Sequence, residues 1–159
     1  MRVPGRANLM GIHSDGQRTY KNYVALDKEI LLMAQSREDD RVVVHNRNPR
    51  FKPGAFRITE ELPAKRRGDW LGYINEVNII PGDWLNYVKG GVLILQNRYP
   101  DIEIKGMNLL FNGNIPLSAG LSSSSALVVA SALAIAELNN LDVSREELVS
   151  LCGQGEWYV

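Results

Sequence analysis

An almost continuously apolar stretch, residues 122–138, constrains the fold of this chain more than any other feature. Alanine is frequent in it and no polar face is left, so a helix formed here must be covered on more than one side. Its most apolar part, residues 126–136, is shorter than the roughly 20 residues that span a bilayer. We therefore predict a central buried helix and no membrane role.

Two further helices are indicated by local signals. From Asp83, a plausible N-cap, apolar residues recur at helical spacing as far as Tyr99, where Pro100 ends the pattern. Ser144 stands three residues before a glutamate, which is capping-box spacing, and opens a last helix that runs toward Glu156.

The remaining segments favour strands. Residues 29–35 and 41–45 are rich in strand-forming side chains and are separated by four charged residues, which predicts a hairpin. Residues 54–59 and 102–111 predict two more strands, and the basic segment 63–68 predicts a solvated surface loop. The order of strands, helix, strand and two helices is an α+β pattern, and the length suits one compact domain over residues 1–159.

Charge and cysteine content exclude several classes of protein. Eighteen basic and eighteen acidic residues cancel, so there is no global field to attract nucleic acid or an acidic membrane. The single cysteine, Cys152, cannot form an internal disulfide and is expected to be a small buried hydrophobe. The first residues lack the apolar core of a secretory signal, so a cytoplasmic location is expected.

The segment before the apolar helix has the composition of an anion site. Residues 116–126 have the sequence PLSAGLSSSSA. A helix start presents unpaired amide groups and the positive end of the helix dipole, and Gly120 allows the backbone to approach a ligand closely. The bland alternative, a serine-capped helix start packed tightly by small residues, remains open. The loop is not a Walker A motif, because the required lysine is missing.

The order of residues in this segment resembles the P-x-x-x-G-L-S-S-S-[AS] motif of the GHMP kinases, which are named for galactokinase, homoserine kinase, mevalonate kinase and phosphomevalonate kinase. Near the start, VPGRANLMGIHSD resembles the galactokinase signature P-G-R-V-N-L-I-G-E-H-x-D. WLNYVKGGV resembles a W-x-N-Y-V-K-G segment, and GEWYV stands where galactokinases carry an A-E-H-x-F-like stretch. The likeness runs from Val3 to the last residue and is weakest over residues 37–82.

This resemblance implies a GHMP kinase N-terminal domain, which is a ribosomal protein S5 domain 2-like fold. In that fold a mixed or antiparallel sheet carries helices on one face, and the expectation is that the fold is truncated here. It also implies ATP and Mg²⁺ as cofactors, with Ser123 and Glu156 as metal ligands and Arg6 as a catalytic residue near the transferring phosphate. Trp84 is a candidate for the adenine pocket, although it also fits a helix core, and Glu156 could instead be an exposed helix carboxylate. The residues implied in ATP binding are Pro116, Ser118, Ala119, Gly120, Leu121, Ser122, Ser123, Ser124, Ser125 and Trp84.

The sugar site is implied by the first motif. Arg6, His13 and Asp15 match positions that contact the substrate, but Ile12 replaces the galactokinase glutamate that binds a sugar hydroxyl. A buried unpaired hydroxyl costs about 1–3 kcal/mol, so galactose is a doubtful substrate. The hypothesis is an acidic or deoxy sugar, met by one of the basic residues that follow the motif, Arg18 or Lys21.

The function implied is ATP-dependent phosphorylation of a sugar hydroxyl, with sugar and ATP as the partners and with neither nucleic acid nor membrane. The family's catalytic aspartate follows the stretch matched by GEWYV, so the chain itself is expected to have little activity. The main alternative is a non-catalytic sugar and ATP sensor on the same fold. A GHMP branch acting on a mevalonate-type or amino-acid alcohol, and an interaction module with a purely structural loop, also stay open.

Overall fold

A computed structural model describes residues 1–10, 22–117 and 119–159. Within these ranges, five strands form one sheet, and there are five helices and two short 3-10 turns. In order, the elements are β1 (Arg2–Met10), β2 (Asn22–Ser36), β3 (Arg41–Asn46), β4 (Gly54–Arg57), α1 (Ile58–Glu61), the turn Ala64–Arg66, α2 (Trp70–Glu76), α3 (Leu85–Arg98), β5 (Met107–Gly113), α4 (Ser123–Leu138), α5 (Arg145–Gly155) and the turn Glu156–Tyr158.

The sheet has the order β1-β2-β5-β3-β4, and only the β3–β5 pair is parallel. The predicted hairpin of β2 and β3 is therefore wrong, because β5 lies between the two strands. Residues of the charged connection bind the start of β5 instead of closing a hairpin. Arg37 N–H donates to the Gly106 carbonyl over 3.1 Å, and Gly106 N–H donates to the Asp39 carbonyl over 2.6 Å. A side chain at Gly106 would come within 2.0 Å of the Arg41 carbonyl oxygen, so glycine is required there.

The same connection carries an ion pair. Arg37 Nε donates to Asp39 Oδ1 over 2.7 Å. This hydrogen bond lowers the pKa of Asp39 to about 2.

Helices cover one face of the sheet, as expected. Ile30 and Leu32 of β2 and Phe111 of β5 are buried beneath them, whereas the alternate residues Leu31 and Met33 are exposed on the other face. This alternation is typical of a sheet with one packed and one solvated face.

The apolar helix α4 lies in the centre of the helical layer and packs against β1, β2, α3 and α5. Two glycines of α3 allow its neighbours to approach closely. A Cβ at Gly91 would lie 2.4 Å from the Val128 carbonyl oxygen of α4, and one at Gly90 would lie 2.3 Å from the Gly155 carbonyl oxygen of α5. Among the described residues, no helix combines the length and apolar character that a bilayer span requires.

The predicted cap of α5 was confirmed, because Ser144 Oγ accepts the N–H of Glu147. At α3 the N-cap is Trp84 and not Asp83 as predicted, although Asp83 Oδ1 accepts the N–H of Leu85 beside the helix start. Cys152 is buried in α5, and this burial raises its pKa to about 11.

The segment between β4 and α3 differs from its prediction. Residues 64–66 form a 3-10 turn, and the Arg67 side chain is only 2% exposed because its guanidinium donates to the Pro100 carbonyl. The short helix α2 was not predicted. Asp69 caps it by accepting the N–H of Gly72, and Trp70 is buried at its start.

Candidate functional site

The N-terminus of α4 is the centre of the candidate site. Ser122, at the N-cap, has a left-handed backbone with φ 60°, and its side chain makes no capping hydrogen bond. This contrasts with α2 and α5, whose first turns are capped by Asp69 and Ser144. The alternative of a serine-capped helix start is thus wrong for α4, whose first amides are left available for an anion.

The loop before α4 is held in place by contacts with β1. Gly120 has φ 70°, a conformation that glycine adopts without strain. The N–H of Arg6 in β1 donates to the carbonyl of Leu121 over 3.1 Å. A side chain at Gly5 would lie only 3.0 Å from the same carbonyl oxygen, so β1 supports the loop through close backbone contact.

A first cavity of about 430 Å³ opens on one side of this helix start. None of the described residues in its lining carries a formal charge. Three aromatic rings form one wall, since the ring centroids of Phe51 and Trp84 are 5.4 Å apart and those of Trp84 and Phe111 are 5.9 Å apart. Trp84 Nε1 donates to the Lys52 carbonyl over 2.9 Å, which fixes the orientation of the indole. Such a neutral wall of flat rings suits a heterocyclic base.

A second cavity of about 490 Å³ opens on the other side. It is polar, with the charged side chains of Arg6 and Glu156 in its lining. The two cavities share four residues. These are Tyr87, Gly120, Ser122 and Ser124. A ligand with a flat apolar end and an anionic end could therefore lie across the head of α4, with one end in each cavity.

Glu156 is the acidic group of the second cavity. Its atom Oε1 is buried and has no hydrogen-bond partner among the described residues. A buried carboxylate oxygen without a partner is costly, and a cation would satisfy it. The residue is half-buried, so the alternative of an exposed helix carboxylate is not what the structure shows.

The site also fits a hard cation by its donor set. Within the described ranges, no three acidic, histidine or cysteine side chains come together as a metal cluster. A cation at Glu156 would therefore take its other ligands from hydroxyls, phosphate oxygens and water, which is the coordination Mg²⁺ prefers.

Arg6 lies on the exposed side of β1, with its Cζ 4.4 Å from the centroid of the Tyr23 ring. It is both a surface strand arginine and part of the second cavity. The cation–π contact with Tyr23 gives the guanidinium a preferred position beside the helix start.

Most of the residues predicted for the phosphate site lie together. Ala119, Gly120, Leu121, Ser122, Ser123 and Ser124 line the first cavity, as does Trp84. Ser125 lines the second cavity with Glu156, whereas Ser123 does not. Pro116 is exposed and lines neither cavity. Ile12, His13, Asp15 and Ser118 lie outside the described residues, as do Arg18 and Lys21.

Several lining residues were missed from the sequence. Tyr87 was not among the predicted site residues, although it is half-buried and lines both cavities. Asn46, Asn48 and Phe51 also line the first cavity and had no prediction. Nothing in the sequence marked their segment as part of the site, because it precedes the serine loop by some 60 residues.

Comparison with known proteins identifies the domain. The family described as "GHMP kinases N terminal domain" matches residues 86–159. A galactokinase of Schizosaccharomyces pombe is 32% identical over 99% of this chain and 31% of its own length. A galactokinase of Dictyostelium discoideum is 34% identical over 99% of this chain and 30% of its own length. The chain thus spans about a third of the length of the curated relatives it matches.

Solved structures show the same similarity to kinases of this family. Lactococcus lactis galactokinase, crystallised with galactose, matches with a TM-score of 0.76 and 32% identity over 98% of this chain and 36% of that one. Methanococcus jannaschii mevalonate kinase matches with a TM-score of 0.74 but only 19% identity, which supports the fold alone. The chain therefore has the fold of a GHMP kinase N-terminal domain, its residues 86–159 match that family, and it is similar in sequence to about a third of the length of galactokinases.

Proposed function

We propose that this chain supplies the nucleotide site of an ATP-dependent sugar kinase. The single observation that carries the proposal is the open head of α4, flanked by a neutral aromatic cavity and by a charged one. Adenine would lie against Trp84 in the first cavity, and the triphosphate would follow the amides of the helix start into the second.

The chemistry follows from the charges in the second cavity. Phosphoryl transfer depends mainly on positioning and on neutralising charge, with little covalent work for the protein. Arg6 would stabilise negative charge that develops on the transferred group, and the serine hydroxyls would hold phosphate oxygens. Glu156 would hold Mg²⁺ with a serine hydroxyl of the helix start, either Ser123, which the family resemblance implies, or Ser124 or Ser125, which line the same cavity as Glu156. The ion would neutralise phosphate charge when bound.

The acceptor is proposed to be a sugar hydroxyl bound through Arg6, His13 and Asp15. The galactokinase relatives support a sugar as the substrate. Ile12 at the position of a hydroxyl-binding glutamate favours a uronic or deoxy sugar over galactose. Steady-state kinetics of the parent enzyme with galactose, galacturonate and fucose would reject this preference if galactose were clearly the best substrate.

The nucleotide site can be tested by calorimetric titration of the chain with ATP, using two matched glycine variants. Gly120 and Gly68 both have positive φ, 70° and 91°, and an added Cβ would meet no atom within 4 Å at either position. Alanine at each should therefore introduce a similar backbone strain of about 1–2 kcal/mol.

We expect Gly120→Ala to weaken ATP binding about tenfold, because strain there displaces the amides that face the phosphates. Gly68→Ala should lose similar stability and keep the wild-type affinity. Absence of ATP binding by the wild-type chain, or equal affinity for the two variants, would contradict the proposed site.

We also propose that the chain alone turns over little ATP, because the family's catalytic aspartate has no matched position in it. A coupled ADP-release assay that showed robust turnover by the 159-residue chain would overturn this part of the proposal.

A further inference from the structure

Two aromatic residues, Trp70 and Tyr158, make hydrogen bonds close to Glu156 in the chain. Neither of them lines one of the two cavities. Two residues before it, the carbonyl of Gln154 accepts a hydrogen bond of 2.9 Å from Trp70 Nε1. Two residues after it, the hydroxyl of Tyr158 donates to Glu61 Oε2 over 3.1 Å. The first bond connects the end of α5, and the second connects the turn that carries Glu156, to the segment between β4 and α3.

The aromatic cluster is buried and tightly connected. Trp70, Tyr73 and Tyr158 are each no more than 5% exposed, and their ring centroids are 5.5 to 6.4 Å apart. Glu61 is fixed in turn, because the Tyr73 hydroxyl donates to its carbonyl over 2.9 Å and Lys89 Nζ lies 2.5 Å from its Oε1. Burial raises the pKa of Tyr73 to about 12, so its hydroxyl stays a protonated donor at neutral pH.

On its other side, the backbone before Glu156 packs closely against α3. Gly155 contacts Gly90 of α3 so closely that a Cβ at Gly90 would lie 2.3 Å from the Gly155 carbonyl oxygen. The backbone around Glu156 thus packs against α3 on one side and is hydrogen-bonded to Trp70 of α2 and Glu61 of α1 on the other. These contacts limit the positions that the backbone carrying the Glu156 carboxylate can take.

We propose that Trp70 and Tyr158 are positioning residues that keep the Glu156 carboxylate aimed at the metal of a metal–nucleotide complex. This inference rests on the proposed function, since it assigns the cation to Glu156. Neighbours that orient a metal ligand without touching the metal commonly change metal affinity 10- to 100-fold when they are removed. The segment between β4 and α3 would then act on the site through two hydrogen bonds.

The test compares ATP binding with and without Mg²⁺. The dissociation constant of ATP is measured by calorimetry for the 159-residue chain in EDTA and in excess Mg²⁺, and the ratio of the two gives the enhancement by the metal. Trp70→Phe and Tyr158→Phe each remove one donor and keep an aromatic ring. Tyr99→Phe is the matched control, because the Tyr99 hydroxyl also donates to a carbonyl, that of Asp142, and Tyr99 lines neither cavity.

We expect the enhancement to fall about tenfold in both test variants, with less than about a twofold change in EDTA, and to be unchanged in Tyr99→Phe. A purely structural role would weaken binding equally in both buffers or change only the unfolding temperature, and either result would overturn the inference. If the wild-type chain binds ATP without any enhancement by Mg²⁺, the metal role of Glu156 fails first, and the inference fails with it. If the wild-type enhancement is present and both variants keep it, the inference alone is wrong.

Discussion

Replacing Glu156 by methionine should change stability and ligand binding in opposite directions. Methionine is similar in length and has no oxygen, so the variant removes the buried, unpartnered Oε1. Leaving a buried polar group unsatisfied costs about 1–3 kcal/mol. Taking the lower end, the free energy of unfolding without ligand should rise by about 1 kcal/mol, which corresponds to about 2–4 °C in unfolding temperature for a chain of this size.

The effect on the metal–nucleotide complex follows from mass action. At a concentration of Mg²⁺ and ATP 100 times the dissociation constant, the wild-type chain should gain about 2.7 kcal/mol from binding. A tenfold loss of affinity in Glu156→Met would reduce this gain to about 1.4 kcal/mol at the same ligand concentration. The variant should thus be more stable than the wild type in EDTA and gain less from the ligand.

Scanning calorimetry in EDTA and in Mg²⁺ with ATP measures both quantities. Glu146→Met is a matched control, because Glu146 is an exposed carboxylate on the helix that precedes Glu156. It should alter the free energy of unfolding by no more than about 0.5 kcal/mol and leave the gain from ligand unchanged. A Glu156→Met variant that is less stable in EDTA, or that keeps the full gain from ligand, would refute the assignment of this carboxylate to a cation.

Three further predictions concern the base pocket, the helix contacts and acid stability. Trp84→Leu should weaken ATP binding about tenfold in calorimetry, because the flat ring that the base would stack on is lost; unchanged affinity would place the base elsewhere. Gly91→Ala should lower the free energy of unfolding by about 1–3 kcal/mol in urea titrations, because its Cβ would be 2.4 Å from a carbonyl of α4. Gly153→Ala, a helix position with open space around an added Cβ, should instead raise it by about 0.5–1 kcal/mol; the reverse order of the two would contradict the packing described. The pKa of Asp39 is lowered to about 2 in the folded chain, so its stabilising effect is complete above about pH 4 and is lost as the pH falls toward 2. Asp39→Asn should therefore be less stable than the wild type at pH 6, and the difference should shrink from about pH 4 downward and vanish only below pH 2. A difference independent of pH would argue against the ion pair.

Three of the helices, α3, α4 and α5, were predictable because their signals are local. The spacing of apolar residues identified α3, and Ser144 identified the start of α5. The predicted stretch at residues 122–138 differs from the helix Ser123–Leu138 by one residue at its start. Each of these signals depends on neighbours within one or two helical turns, and so it survives without knowledge of the tertiary structure.

The hydrogen bond of Trp70 could not be predicted, because its partner is far away along the chain. Its partner, the carbonyl of Gln154, is 84 residues away along the chain. The partner of Tyr158 on Glu61 is 97 residues away. No periodic pattern records a bond between a side chain and such a distant backbone group, and α2, with seven residues, is too short to give a strong helical signal.

The residues of the first cavity were also harder to predict from the sequence than the serine loop. The cause is the parallel pairing of β3 and β5. Because parallel strands end at the same edge of a sheet, the segment after β3 and the segment after β5 emerge side by side. The first brings Asn48 and Phe51 to the aromatic cavity, and the second becomes the serine loop. The serine loop of the proposed anion site lies within a dozen neighbouring residues and was visible in the sequence. The proposed base site forms only when β5 lies between β2 and β3, so the expectation of a hairpin of β2 and β3 gave no indication of it.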